Sequence, residues 1–179
     1  VQRGDNVDFT ATSGTVDVND TVTLIDLSGT GTNLITAGAN IELTAVSDSA
    51  NVVELELKAD DDITLDTITL NNLATALLDI DVDEDNGGGT LTTNALSAGQ
   101  LTVDGTGTDD TLTFNESVTS SNTSITLNVA NIVDINANVT AATALTISNV
   151  NAEVDLAANV DLFAQNGNLA ISNNVTVID

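Results

Sequence analysis

The stretch VDINANV, Val133 to Val139, returns 21 residues later as VDLAANV, Val154 to Val160, identical at five of seven positions and with Leu156 in place of Ile135. An echo in a chain rich in Val, Asn, Asp and Ala carries weight only if the same step also organises residues outside it. It does. Stepping by 21 gives Leu91, Leu112, Val133, Val154 and Val175, and beside them Thr93, Phe114, Ile135, Leu156 and Val177, nine of the ten being large and apolar. A third line joins Val118, Val139 and Val160. A fourth pairs Leu101/Val103, Ile125/Leu127, Leu145/Ile147 and Leu169/Ile171 at steps of 24, 20 and 24.

Between these lines the chain alternates apolar and polar residues, as in Val53-Glu54-Leu55-Glu56-Leu57 and Ile63-Thr64-Leu65. That is the pattern of strands buried on one face. No segment reads as a convincing helix. Short strands separated by Asn, Asp, Gly and Ser turns cannot bury their apolar face alone, so each repeat must stack on its neighbours. The expected fold is all-β: a parallel β-helix, or β-solenoid, of about eight coils of about 21 residues. Residues 1–179 form one such domain or a segment of a longer repeat array, interrupted by the acidic, Gly-rich stretch 79–89, read as a loop insertion. Asn138 over Asn159 would begin an Asn ladder at a corner. Before residue 90 the period fades and predicts no register. The alternative is an antiparallel β-sandwich filament subunit that polymerises by donor-strand exchange, lending Asn6–Thr12 or Asn174–Asp179 to a neighbour.

Leu, Ile, Val and Phe make up about 30% of the chain, above the level at which an acidic sequence stays unfolded. Against 27 acidic residues stand only Arg3 and Lys58, a formal charge of −25. Such a surface repels phosphate backbones and anionic lipids, so the partners expected are further copies of the chain or neighbouring repeats, with no nucleic acid and no membrane insertion. The chain opens on Val1 and contains no Met, which reads as a processed product or an excised segment. Cys, Trp, Tyr and His are absent too, leaving few oxidisable groups and two trypsin sites, a composition suited to a long-lived extracellular or cell-surface material.

Carboxylate clusters at Asp60-Asp61-Asp62 and Asp109-Asp110 lack any His, Tyr or Cys to assist them, so no catalytic residues are expected and the protein is read as no enzyme. A polysaccharide-active β-helix enzyme is the less favoured reading. Calcium is the cofactor the residues suggest. Asp81, Asp83 and Asp85 set acidic oxygens at alternate positions before a Gly turn, as an oxygen-ligand calcium loop does, although Asn86 and Thr92 stand where such a loop has Gly and Glu. Asp134 and Asp155, one step apart, would stack and repel, which either raises their pKa values or draws in a cation, and the cation is the outcome expected. GTGTDDTLT, Gly105 to Thr113, resembles the haemolysin-type calcium nonapeptide at Gly105, Asp110 and Leu112, with Thr106 and Thr108 departing from it. Thr102, Thr126 and Thr146 would form one outward column that ends at Ala170, short of the two-column array that meets ice.

The phrases ITAGANIELTA, VDLAANVDLFAQNGNLAIS and ALTISNVNAEV resemble the repeat regions of filamentous-haemagglutinin-like adhesins and related large repetitive bacterial surface proteins. That resemblance, one of texture over residues 33–179, implies an extracellular right-handed β-helix serving as stalk, adhesin or fibre. The expected function is an extracellular structural or adhesive rod or filament unit, built by end-to-end stacking.

Overall fold

The structure, a computed structural model, describes residues 2–3, 8–25, 31–105, 107, 109–129, 131–172 and 175–177. It is a β-solenoid of about seven turns. Among the described residues there is no helix, and every strand pairing is parallel. The antiparallel sandwich is thereby overturned. Of its proposed donor segments, Asn6, Val7, Asn174, Ile178 and Asp179 lie outside the described residues.

One wall is an eight-stranded sheet that includes Thr32–Ala37, Glu54–Ala59, Leu77–Val82, Gln100–Gly105, Ile125–Val129, Leu145–Ser148 and Leu169–Ile171. The other sheet has twelve strands and folds around a bend. In the middle coils a single strand makes that bend: in Ile63–Leu70 the neighbours Asp66 and Thr67 are both exposed. This extra outward residue shifts the alternation by one, so the apolar residues of both halves point inward. Later coils open the bend into a loop, splitting the strand into Thr111–Phe114 and Val118–Ser120, then Ile132–Ile135 and Val139–Ala141. Three walls therefore enclose one apolar interior.

The apolar lines of the sequence run in register from coil to coil, and their described members from Leu91 to Val154 line that interior. Leu91, Leu112, Val133, Val154 and Val175 are register partners in successive coils, as are Thr93, Phe114, Ile135, Leu156 and Val177. The fourth line, from Leu101/Val103 to Leu169/Ile171, pairs as expected. Phe114, Val133, Ile135 and Leu145 are fully buried. Burial of each such side chain stabilises by about 1.5–3 kcal/mol, so this interior outweighs the surface ion pairs, worth roughly 0–1 kcal/mol each.

Three expectations need correction. The coil count falls from eight to about seven because coils before residue 90 are longer. Val16 pairs with Ile41, Ile41 with Ile63 and Ile63 with Leu91, steps of 25, 22 and 28. The longest step contains an acidic corner, and that corner is 83–89, since residues 79–82 belong to the strand Leu77–Val82. Finally, Val118 stacks on Val139, but Val139 stacks on Leu162, not Val160. The longer bend carries Val160 out of the column. Asn138 then lies beside Asp161, whose N–H donates to the Asn138 Oδ1 at 2.8 Å, while Asn159 turns the chain with φ +62°. No Asn138–Asn159 ladder forms.

Candidate functional site

The acidic residues separate into those that point out from the walls and those that fill a corner. Asp79 and Asp81 alternate with buried Leu78 and Ile80, so both face outward. Register places Asp79 between Glu56 and Thr102, and Asp81 between Lys58 and Asp104. Lys58 Nζ lies 2.7 Å from Asp81 and 2.8 Å from Glu56. These bonds hold the ammonium well above its ordinary pKa. Among the described residues Asp79 has no such partner. Burial first, then the charges of Asp81, Glu54, Glu56 and Asp104, push it from 3.8 up to about 6.

Alternation would have pointed Asp83 outward after the buried Val82, but the chain turns there, with φ +66° at Asp83. Its carboxylate enters the corner rather than joining Asp81. Gly87 N–H donates to Asp83 Oδ1 at 2.6 Å and to Asp85 Oδ1 at 3.0 Å. One coil further along, Asp110 precedes the strand Thr111–Phe114, and Gly89 N–H donates to its Oδ1 at 3.0 Å. Asp83 and Asp110 are both 0% exposed.

Glycines make the space for these side chains. A Cβ on Gly107 would lie 1.9 Å from Asp83 Oδ2 and 2.8 Å from Asp110 Oδ1, so the two carboxylates crowd one point above that residue. A Cβ on Gly105 would lie 2.8 Å from Asp110 Oδ2. Burial raises the Asp110 pKa; the Gly89 and Gly107 amides lower it, and the Asp83 charge raises it again. Asp83 Oδ2 and Asp110 Oδ2 are buried without a hydrogen-bond partner.

The five residues read as calcium ligands are thus dispersed. Asp81 is engaged by Lys58, Asp83 and Asp85 meet at Gly87, and Asp134 pairs in register with Asp155 on another wall. The Asp155 Oδ1 is buried and without a partner. Among the described residues no three acidic side chains converge as a metal-binding group. Of the nonapeptide-like segment, Thr106 and Thr108 lie outside the described residues. Asp62 has a structural role, accepting Thr90 N–H at 2.9 Å. The meeting of Asp83 with Asp110 escaped the linear reading, yet a signal existed. Thr90-Leu91-Thr92 and Thr111-Leu112-Thr113 repeat at the 21-residue step, which sets Gly89 beside Asp110.

A shallow groove of about 270 Å³ at the outer bend is lined by Asn19, Glu42, Thr64, Asp66, Thr92 and Asn94. Asn94 Nδ2 donates to Asp66 Oδ1 across it at 2.8 Å, as a ladder between coils would. Compared with known proteins, the chain matches no family model, no curated protein and no solved structure.

Proposed function

We propose that this chain is an extracellular, non-enzymatic structural β-solenoid, a rod or filament unit whose coils continue end to end into another copy or into further repeats. The observation that carries this reading is Leu169. It ends the inward column Leu101, Ile125, Leu145, whose members are at most 1% exposed, yet it is itself 47% exposed. Its strand, Leu169–Ile171, has a partner on one side only among the described residues, and so does Asp8–Ala11 at the opposite end of that sheet. The neighbouring column, which ends at Ile171, begins at Phe9. A second copy stacked in the same sense would therefore lay its Asp8–Ala11 strand along Leu169–Ile171 and extend that sheet. Such a head-to-tail contact does not close on itself, so it builds a filament.

The texture shared with filamentous-haemagglutinin-like repeats favours an adhesive stalk at a cell surface, and the scarcity of oxidisable and tryptic residues suits exposure outside a cell. The buried acidic corner supports a non-enzymatic reading, since carboxylates at 0% exposure cannot flank a glycan as hydrolase carboxylates must. Electron microscopy and light scattering test assembly. Rods that lengthen with protein concentration are expected, and Leu169→Asp should abolish them while leaving the β-sheet circular dichroism unchanged. Monomers at all concentrations, or rods that persist in Leu169→Asp, would refute the end-to-end contact.

A further inference from the structure

We propose that Asp83 and Asp110 together hold one divalent cation of the calcium class at the corner where residues 83–89 lie against the turn preceding Thr111. Two fully buried carboxylates crowd the space beside Gly107, through Asp83 Oδ2 and Asp110 Oδ1, and the Oδ2 atom of each is without a partner, that of Asp110 lying toward Gly105. Leaving such oxygens unsatisfied away from water is costly, and two like charges in contact add to that cost. The chain has no base to offer there. Lys58 is engaged by Glu56 and Asp81, and Arg3 belongs to a strand paired with Val16–Ile25, coils away.

A contrasting buried acid shows what a satisfied one looks like. Asp48 is 8% exposed, and its two oxygens accept the Asn71 and Asn72 N–H groups at 3.1 and 2.9 Å. It needs no ion. At the 83/110 corner a single shared proton would leave one negative charge buried beside Asp85 and Asp109, whereas a dication neutralises both carboxylates. Calcium suits the corner better than magnesium, because it accepts irregular oxygen sets while magnesium demands near-octahedral geometry and gives up water reluctantly. With two side-chain oxygens as anchors, main-chain oxygens and water complete the shell. The affinity then falls in the weak extracellular range, roughly 0.1–1 mM. Gly105 and Gly107 keep the space clear of a Cβ.

Calorimetric titration of the full chain with CaCl2 should show one saturable site per chain. In thermal melts, calcium about 20-fold above Kd should raise Tm by roughly 3–7 °C over chelator or MgCl2 at matched ionic strength. Asp83→Asn and Asp110→Asn should each weaken binding at least tenfold. Should either variant fail to fold, amide NMR of the wild-type chain supplies the location: the Gly87, Gly89 and Gly107 signals should move on addition of calcium. The proposal is overturned if no saturable binding occurs or if those glycine signals stay fixed. It is also overturned if binding survives both substitutions but is lost in Asp134→Asn, or if melts are calcium-insensitive yet rise as pH falls, the signature of a shared proton.

Discussion

Asp79 shows how one residue on an acidic wall acts on stability. Its carboxyl binds a proton more tightly in the folded chain, near pH 6, than unfolded, near 3.8. A folded pKa raised in this way makes the folded state the better proton binder between those two values. Stability contributed by Asp79 is therefore greatest below about pH 4, declines as pH rises through the window, and is lost above about pH 6. Asp79→Asn removes the charge and keeps the shape. The variant should melt higher than wild type near pH 7 and coincide with it near pH 4, as scanning calorimetry at several pH values would read. Equal melting temperatures at neutral pH would mean that solvent already screens this carboxylate.

At the scale of the strand, the interior ladder carries the energy. Phe114 is fully buried between Thr93 and Ile135, and it is the largest side chain in the column. Thr93, the single polar member, is 1% exposed and gives the ring a smaller neighbour below. Phe114→Ala would leave a void that parallel strands pinned above and below by backbone bonds cannot collapse to fill. The expected cost is about 3–5 kcal/mol in denaturant unfolding. A loss under about 1 kcal/mol would show that the column repacks freely. Because each coil touches only its neighbours, the effect should concentrate in the coils around residues 90–140 and show as faster amide exchange there.

For the whole molecule, charge and stacking oppose each other. Each copy carries −25, so two ends approach against a repulsion that extends over a Debye length, about 10 Å at 0.1 M salt and 3 Å at 1 M. The apolar contact at Leu169 and the new strand pairing act only at contact. Assembly should therefore be promoted by salt, with rods longer at about 0.5 M NaCl than at 20 mM in light scattering. With about seven turns at a strand spacing near 4.8 Å, each copy should add roughly 34 Å to a rod. Assembly that weakens as salt rises would instead point to ion pairs at the joint.

Much of this architecture was legible along the chain because a parallel coil stack places each residue over the one a coil later. The ladders Leu91 to Val175 and Leu101 to Leu169 are thus written as a near-constant spacing, and alternation decides which residues face inward. Corners obey no such rule. Their backbone is free to lengthen toward solvent, so the 28-residue step, the loss of Val160 from its column to Leu162 and the onset of the loop at Asp83 emerged only once the strands were paired. The same holds for the candidate site. Asp81, Asp83 and Asp85 look equivalent in sequence, but pleating sends Asp81 out to Lys58, while a left-handed turn sends Asp83 in, toward Asp110. That meeting is tertiary, because it joins two turns of unequal length whose contact is set by the strands on either side of them.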